Sequence, residues 1–230
     1  FLALRGENFD GHNFAKRAVE NGAVAAVAEY EIEGCPCIVV PDTRRALLSI
    51  AAYYRKKFIP VLVGVTGSVG KTTSKEMIAL VLSSQYETLK TQGNLNNEIG
   101  LPKTLMELKS SHEAAVIEMG MSDFGEIHRL SCTTQPTIGV ITNIGFSHIE
   151  NLGSQEGILK AKLEILDGMA EDSPLIVSGD DPFLAPLKNE LTRPVYTYGV
   201  ENENADVRAA AIEAGEGSTE FDVIDNGEKT

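Results

Sequence analysis

The sequence predicts an α/β fold with a mostly parallel sheet, on three observations. Apolar runs of strand length alternate with amphipathic helical patterns along nearly the whole chain. Most of those runs lack a polar alternation, as expected of strands covered on both faces. One of them, Val61–Val65, passes straight into a glycine-rich loop and a helix start. The expected organisation is a small N-terminal α/β domain over residues 1–59 and a central phosphate-loop domain over 60–230, with Pro60 at the boundary.

In the first unit, Asp10 can cap a helix over 12–21, where Phe14, Ala15, Ala18 and Val19 form an apolar stripe. Gly22 stops it. Strands follow at 23–28 and 37–40, the second ended by Pro41. From Thr43 a helix places Ala46, Leu47, Ile50, Ala51 and Tyr54 on one face, and Arg55, Lys56 and Lys57 suit its C-terminal dipole end. In the second unit strands are expected at 61–65, 86–90, 114–119, 137–142, 174–178 and 195–198. The helices between them fall at 71–84, 97–108, 124–131, 154–171 and 182–190. Residues 207–225 read instead as a hairpin-like pair of strands around Gly215 and Gly217.

Composition narrows the function classes. The chain has 230 residues and a formal net charge of −13. Residues 1–59 are nearly neutral at +1, 60–165 carry −3, and 166–230 carry −11. A sequence-independent nucleic-acid binder needs a basic stripe, which is missing here. A single nucleotide is not excluded, because local N–H groups and one lysine outweigh a remote acidic surface. No apolar run reaches the 18–20 residues or so that span a bilayer, and the opening Phe1–Arg5 is too short for a signal-peptide core. Without an initiator Met, and opening in mid-strand, the sequence reads as a fragment. The odd three cysteines, Cys35, Cys37 and Cys132, are expected to be reduced structural thiols, which fits a cytoplasmic setting.

The chemistry concentrates after Val61. In Thr66-Gly67-Ser68-Val69-Gly70-Lys71-Thr72-Thr73, glycines would let backbone amides close around phosphate, helped by the helix N-terminus. Lys71 would reach the β/γ-phosphates, and the Thr72 hydroxyl would ligate magnesium. The strict pattern fails only at its first position, where Val65 replaces glycine. Asn94, Asn96 and Asn97 suit either a loop with a helix cap or an amide-lined pocket for a polar substrate. Glu118 ends an apolar strand, where a carboxylate can serve a magnesium ion. Asn143 and His148 follow the next strand end. Lys162 falls on an otherwise apolar stripe of Ile158, Leu159, Ile165 and Leu166. It is either a snorkelling side chain or a buried amine of depressed pKa able to react with CO₂.

These residues together make the sequence similar to the ATP-dependent Mur ligases of peptidoglycan synthesis. The resemblance rests on Phe9–His12, Gly22–Ala25, Thr66–Thr73, Gly93–Pro102 and Glu118–Ile127, and it covers almost the whole chain. It implies ATP as cofactor, with magnesium at two sites. ATP would phosphorylate the terminal carboxylate of a UDP-MurNAc-tripeptide, and the amine of D-alanyl-D-alanine would attack the acyl phosphate. By the same resemblance, Gly67–Thr73 and Asn143 would contact nucleotide, with the Val69 backbone N–H facing phosphate. Thr72 and Glu118 would hold one magnesium, and His148 with a carbamylated Lys162 a second. Asn94, Asn96 and Asn97 would face substrate, and the protein would be a monomer in the cytoplasm. The family's C-terminal domain would be absent, leaving this piece with nucleotide binding at most. The rival readings are another amide ligase of the superfamily, one building folyl-polyglutamate for example, a P-loop kinase or hydrolase, and a nucleotide-binding module without chemistry.

Overall fold

A computed structural model describes residues 1–6 and 8–229. The N-terminal unit starts with the antiparallel pair β1 (Arg5–Gly6) and β2 (Phe9–Asp10). Asp10 accepts the His12 N–H at 3.0 Å, but a 3-10 turn over Gly11–Phe14 precedes helix α1 (Ala15–Glu20), which is shorter than expected. Strands β3 (Ala26–Ala28) and β4 (Cys37–Val39) pair in parallel, and Leu2 bridges to Val27. The strand expected at 23–28 survives only in its second half. All three cysteines are free.

Helix α2 (Thr43–Arg55) is capped by Asp42, whose carboxylate accepts the Arg44 and Arg45 amides at 2.8 and 3.0 Å. It does not stay within its own unit. Ala51 joins the core of the large sheet, with Tyr54 and Phe58 packed against it, and the Tyr54 hydroxyl donates to Leu108 O at 3.0 Å.

The central unit runs β5 (Val61–Thr66), α3 (Lys71–Leu82), β6 (Thr88–Lys90), α4 (Gly100–Leu105), β7 (Ala114–Glu118), α5 (Glu126–Thr134) and β8 (Ile138–Ile141). It continues through α6 (Ile149–Leu152), α7 (Gln155–Leu163), β9 (Leu175–Ser178), α8 (Leu187–Glu190), β10 (Val195–Gly199), β11 (Val207–Ala214), β12 (Thr219–Asp225) and β13 (Glu228–Lys229). The nine strands lie in the order β13-β12-β11-β10-β9-β8-β5-β7-β6. From β6 to β11 every pairing is parallel; only β12 and β13 are antiparallel. Alternate residues of β5 serve opposite faces. Leu62 packs into the core beneath α2, α4, α5 and α7, while Val63 and Val65 pack with Ala79 of α3. Arg55 completes the α2 contact by donating to Thr134 O and Gln135 O at 2.8 and 3.1 Å, which satisfies the end of α5. Burial lowers its pKa from the usual arginine range.

Helix α5 lies two to three residues later than the expected 124–131, and α4, α7 and α8 depart from expectation for local reasons. Before α4, residues 97–99 are a turn, because Asn97 Oδ1 takes the Ile99 and Gly100 amides and Asn97 thus caps the helix. The expected helix 154–171 tightens into a 3-10 turn at Glu164–Gly168. There the Glu164 carboxylate holds the Gly125 and His128 amides at the head of α5, and Ser131 Oγ donates to Ile165 O. Residues 182–190 give only the short α8. Asp181 instead closes a turn on the Phe183 and Leu184 amides, and Pro186 lies directly before the helix. The hairpin at 207–225 forms as expected, with a register shift at Ala210/Glu213 around the left-handed Ala211.

Candidate functional site

Strand β5 lies in the middle of the parallel sheet, so its carboxyl end opens between the ends of β7 and β8. The glycine-rich loop starts there. Gly67 has a positive φ of 152°, and a Cβ on it would run into Thr142 Oγ1. Gly70, at φ 77°, sets the left-handed turn into α3. The end of β8 clasps the loop from outside. The Ser68 amide donates to Asn143 O at 3.1 Å, and Thr142 Oγ1 donates to Val69 O at 2.7 Å. The Asn143 carboxamide takes the Val69 amide at 3.0 Å and returns a bond to Val69 O at 3.2 Å. Asn143 therefore shapes the loop. The Val69 N–H, expected to face phosphate, is committed to Asn143 Oδ1 instead. What remains for an anion is the start of α3, which has no side-chain cap and whose first amides lack intrahelical partners. Lys71 folds over the loop, donating from Nζ to Gly67 O at 2.9 Å and Ser68 O at 3.3 Å. Burial lowers the pKa of its amine, with the charge of Glu118 opposing that shift.

Glu118 ends β7, whose five residues are all buried. Its Oε1 accepts Asn96 Nδ2 at 2.8 Å, and its backbone N–H donates to Thr91 Oγ1 at 3.0 Å. Its Oε2 is buried without a hydrogen-bond partner. The nearest cation to it is Lys75 Nζ at 4.0 Å, a separation worth about 4 kcal/mol of attraction at an effective dielectric constant of about 20. A buried anionic oxygen left free is the donor a hard cation such as magnesium prefers, so Glu118 fits the ion expected of it, and Thr72 is the second residue of α3, exposed to solvent. Among the described residues no group of three or more His, Cys, Asp or Glu side chains is arranged for a metal.

The other expected residues separate. Lys71, Asn96, Asn97, Gly120, Ser122 and His148 border one cleft of roughly 430 Å³. Asn97 also serves as the cap of α4, and Asn94 is exposed away from the cleft lining. His148 is exposed at φ 63°, in the turn that starts α6. Lys162 lies on α7, whose N-terminus Ser154 caps through the Gly157 amide at 3.2 Å. It is 2% exposed. Among the described residues its Nζ has no hydrogen bond or ion pair. Burial, with Lys71 adding repulsion, lowers its pKa to about 7. The buried-amine reading of the sequence is the one this geometry favours over snorkelling.

Sequence reasoning passed over Lys75, Thr91 and Asp181, and read Thr142 only as the end of a strand beside Asn143. Lys75 carried a usable signal, because it lies one helical turn after Lys71 on the same face. Thr91 had none, and Thr142 had only its place at a strand's carboxyl end. Asp181, which holds the Ile144 amide at 2.7 Å, lies 37 residues away in sequence.

Fold and site together define a mixed α/β protein with a central, mostly parallel sheet that gathers its polar groups at the carboxyl ends of strands. The family model of the Mur ligase middle domain matches residues 65–230. The chain belongs to the Mur ligase family. It is 44% identical over 227 residues to the UDP-N-acetylmuramoyl-tripeptide–D-alanyl-D-alanine ligase of Bacillus subtilis, covering 97% of this chain and 49% of that protein. The structure of MurF ligase from Thermotoga maritima in complex with ADP superposes with a TM-score of 0.92 at 33% identity, over 100% of this chain and 53% of that one. MurF from Acinetobacter baumannii gives 0.91 at 37% identity, over 100% and 51%. The chain thus spans about half the length of the relatives it matches.

Proposed function

We propose that this chain carries the nucleotide site of an ATP-dependent ligase that joins D-alanyl-D-alanine to a UDP-MurNAc-tripeptide. The observation that carries the reading is one cleft bordered by Lys71, at the uncapped head of α3, and by Asn96 and His148, with the buried Glu118 bonded directly behind Asn96. Its support from outside is the resemblance to ligases of that name and to a relative that holds ADP.

The loop Gly67–Thr73 acts as a phosphate loop. Amides at the head of α3 take the phosphate oxygens, and Lys71 turns from the loop carbonyls to the transferring group, whose charge it offsets. The substrate carboxylate attacks the γ-phosphorus of ATP, and ADP leaves. The dipeptide amine then attacks the acyl carbon, phosphate leaves, the amine loses a proton to solvent, and an amide remains. Thr72 and Glu118 would hold magnesium, which supplies charge neutralisation for the phosphates. His148 and Lys162 would serve a second ion. As a neutral amine Lys162 attacks CO₂, loses one proton and becomes an anionic carbamate, which would put a carboxylate-like group on the buried side of α7. Asn96 and Asn97 would orient the acceptor. Asn94, outside the cleft lining, contributes only through the loop.

ADP release by the full-length protein tests the reading. Sustained release, beyond one ADP per enzyme, is expected only when UDP-MurNAc-tripeptide and D-alanyl-D-alanine are both present. Continued turnover with water or a single substrate would instead mean a hydrolase or kinase. Full activity of Lys162→Ala without added short carboxylic acids would remove the carbamate.

A further inference from the structure

Lys75 is as buried as any residue in the molecule, at 0% exposure, and the chemistry above gives it no task. Its Nζ donates to Thr91 O at 2.7 Å and Glu76 Oε1 at 2.9 Å, with Glu118 Oε2 at 4.0 Å. Thr91 is also the residue whose hydroxyl holds the Glu118 amide. Glu76 is itself bonded on its other oxygen by Lys90, so it is anchored rather than free to follow Lys75. Lys75 therefore ties together the phosphate-loop helix α3, the end of β6 and the end of β7, at the carboxylate oxygen that has no other partner.

We infer that Lys75 is a positioning residue for the metal-binding carboxylate: it fixes the distance between the head of α3 and Glu118 Oε2, and so sets the affinity for a nucleotide-bound divalent cation without touching nucleotide. This rests on the reading of Glu118 as a magnesium ligand. Lys71 and Lys75 occupy one face of the helix, one turn apart, and Glu118 faces both. The outer lysine meets the anion from the site; the inner one holds its carboxylate in place. Outer-shell partners of this kind typically change metal affinity by about 10–100-fold.

The test is ADP binding to the full chain by calorimetry, in Mg²⁺ and in EDTA. Glu118→Gln should abolish the gain in affinity that Mg²⁺ gives; an unchanged gain in that variant means Glu118 is not the ligand and the underlying reading fails. If Glu118→Gln behaves as expected, Lys75→Met should reduce the Mg²⁺-dependent gain by about tenfold or more, leaving the EDTA affinity within about twofold of wild type. Equal loss in both buffers would mean a purely structural lysine, and an undiminished gain would mean no coupling; either overturns the inference. Should Lys75→Met not fold, the variant Lys75→Met with Glu118→Gln, which leaves no buried charge on either side, decides the matter. It should match Glu118→Gln alone in both buffers, and any further loss of affinity overturns the inference.

Discussion

Two lysines, both almost wholly shut off from solvent, lie in opposite circumstances. Lys75, beneath the glycine-rich loop, is surrounded by a carbonyl and two carboxylates, whereas Lys162 on α7 has no hydrogen-bonding or ionic partner among the described residues. Burial alone thus does not fix what a lysine does. Where oxygens surround it, the ammonium becomes a structural tie whose removal strands a neighbour's charge. Where no such partner is present and another lysine's charge adds repulsion, the proton is the part that gives way, and a nucleophilic amine is left near pH 7.

The largest way to break the contrast is Lys75→Met, which leaves Glu118 buried with its nearest cation gone. We expect a loss of about 3–5 kcal/mol in a urea unfolding series, and recovery of most of it when Glu118→Gln is added. Lys162→Met should behave differently. The folded chain releases the Lys162 proton at about 7, while the unfolded chain keeps it to 10.5, so between those values the unfolded state binds more protons. Stability from this residue is least below pH 7 and rises as pH goes up through the window, by at most about 1.4 kcal/mol per unit. Over two pH units that amounts to about 2–3 kcal/mol, and the rise should vanish in Lys162→Met; the same slope in both proteins would show that Lys162 titrates normally.

Smaller effects sharpen the picture. Asn143→Ala frees Val69 from both its carboxamide bonds and should cost about 1–2 kcal/mol of stability, with weaker ADP binding in isothermal titration. Ser154→Ala removes the cap of the helix that carries Lys162. It should cost about 1 kcal/mol in thermal unfolding and leave ADP affinity unchanged, because α3, the helix that meets phosphate, has no such cap to lose.

Much of this was legible in the sequence because it is periodic or local. The unbroken apolar strands announced a parallel sheet, and Val61–Thr73 placed a glycine-rich loop at the end of one of them. Lys162 stood out because a cation interrupts an apolar stripe. Other features depend on partners far along the chain. No local pattern says that Asn143 grips Val69, that Glu164 ends α7 by turning to α5, or that Lys75 reaches Thr91 O. The asparagine run shows the limit well: one composition supports a cap, a carboxylate partner and an exposed loop residue, and only the tertiary fold assigned these to Asn97, Asn96 and Asn94 in turn.

Helix α2 has a consequence for how the chain acquires its shape. It is made before any strand of the large sheet, yet its apolar face finds its place only against α4 and α5, and Arg55 waits for carbonyls 79 and 80 residues downstream. Contacts of that span raise contact order and slow the search for the native state. During synthesis the helix emerges early, and the face that packs on α4 and α5 stays uncovered until those helices follow. A cut at Pro60, where composition suggests a seam, would expose the floor of the larger core rather than free an independent domain.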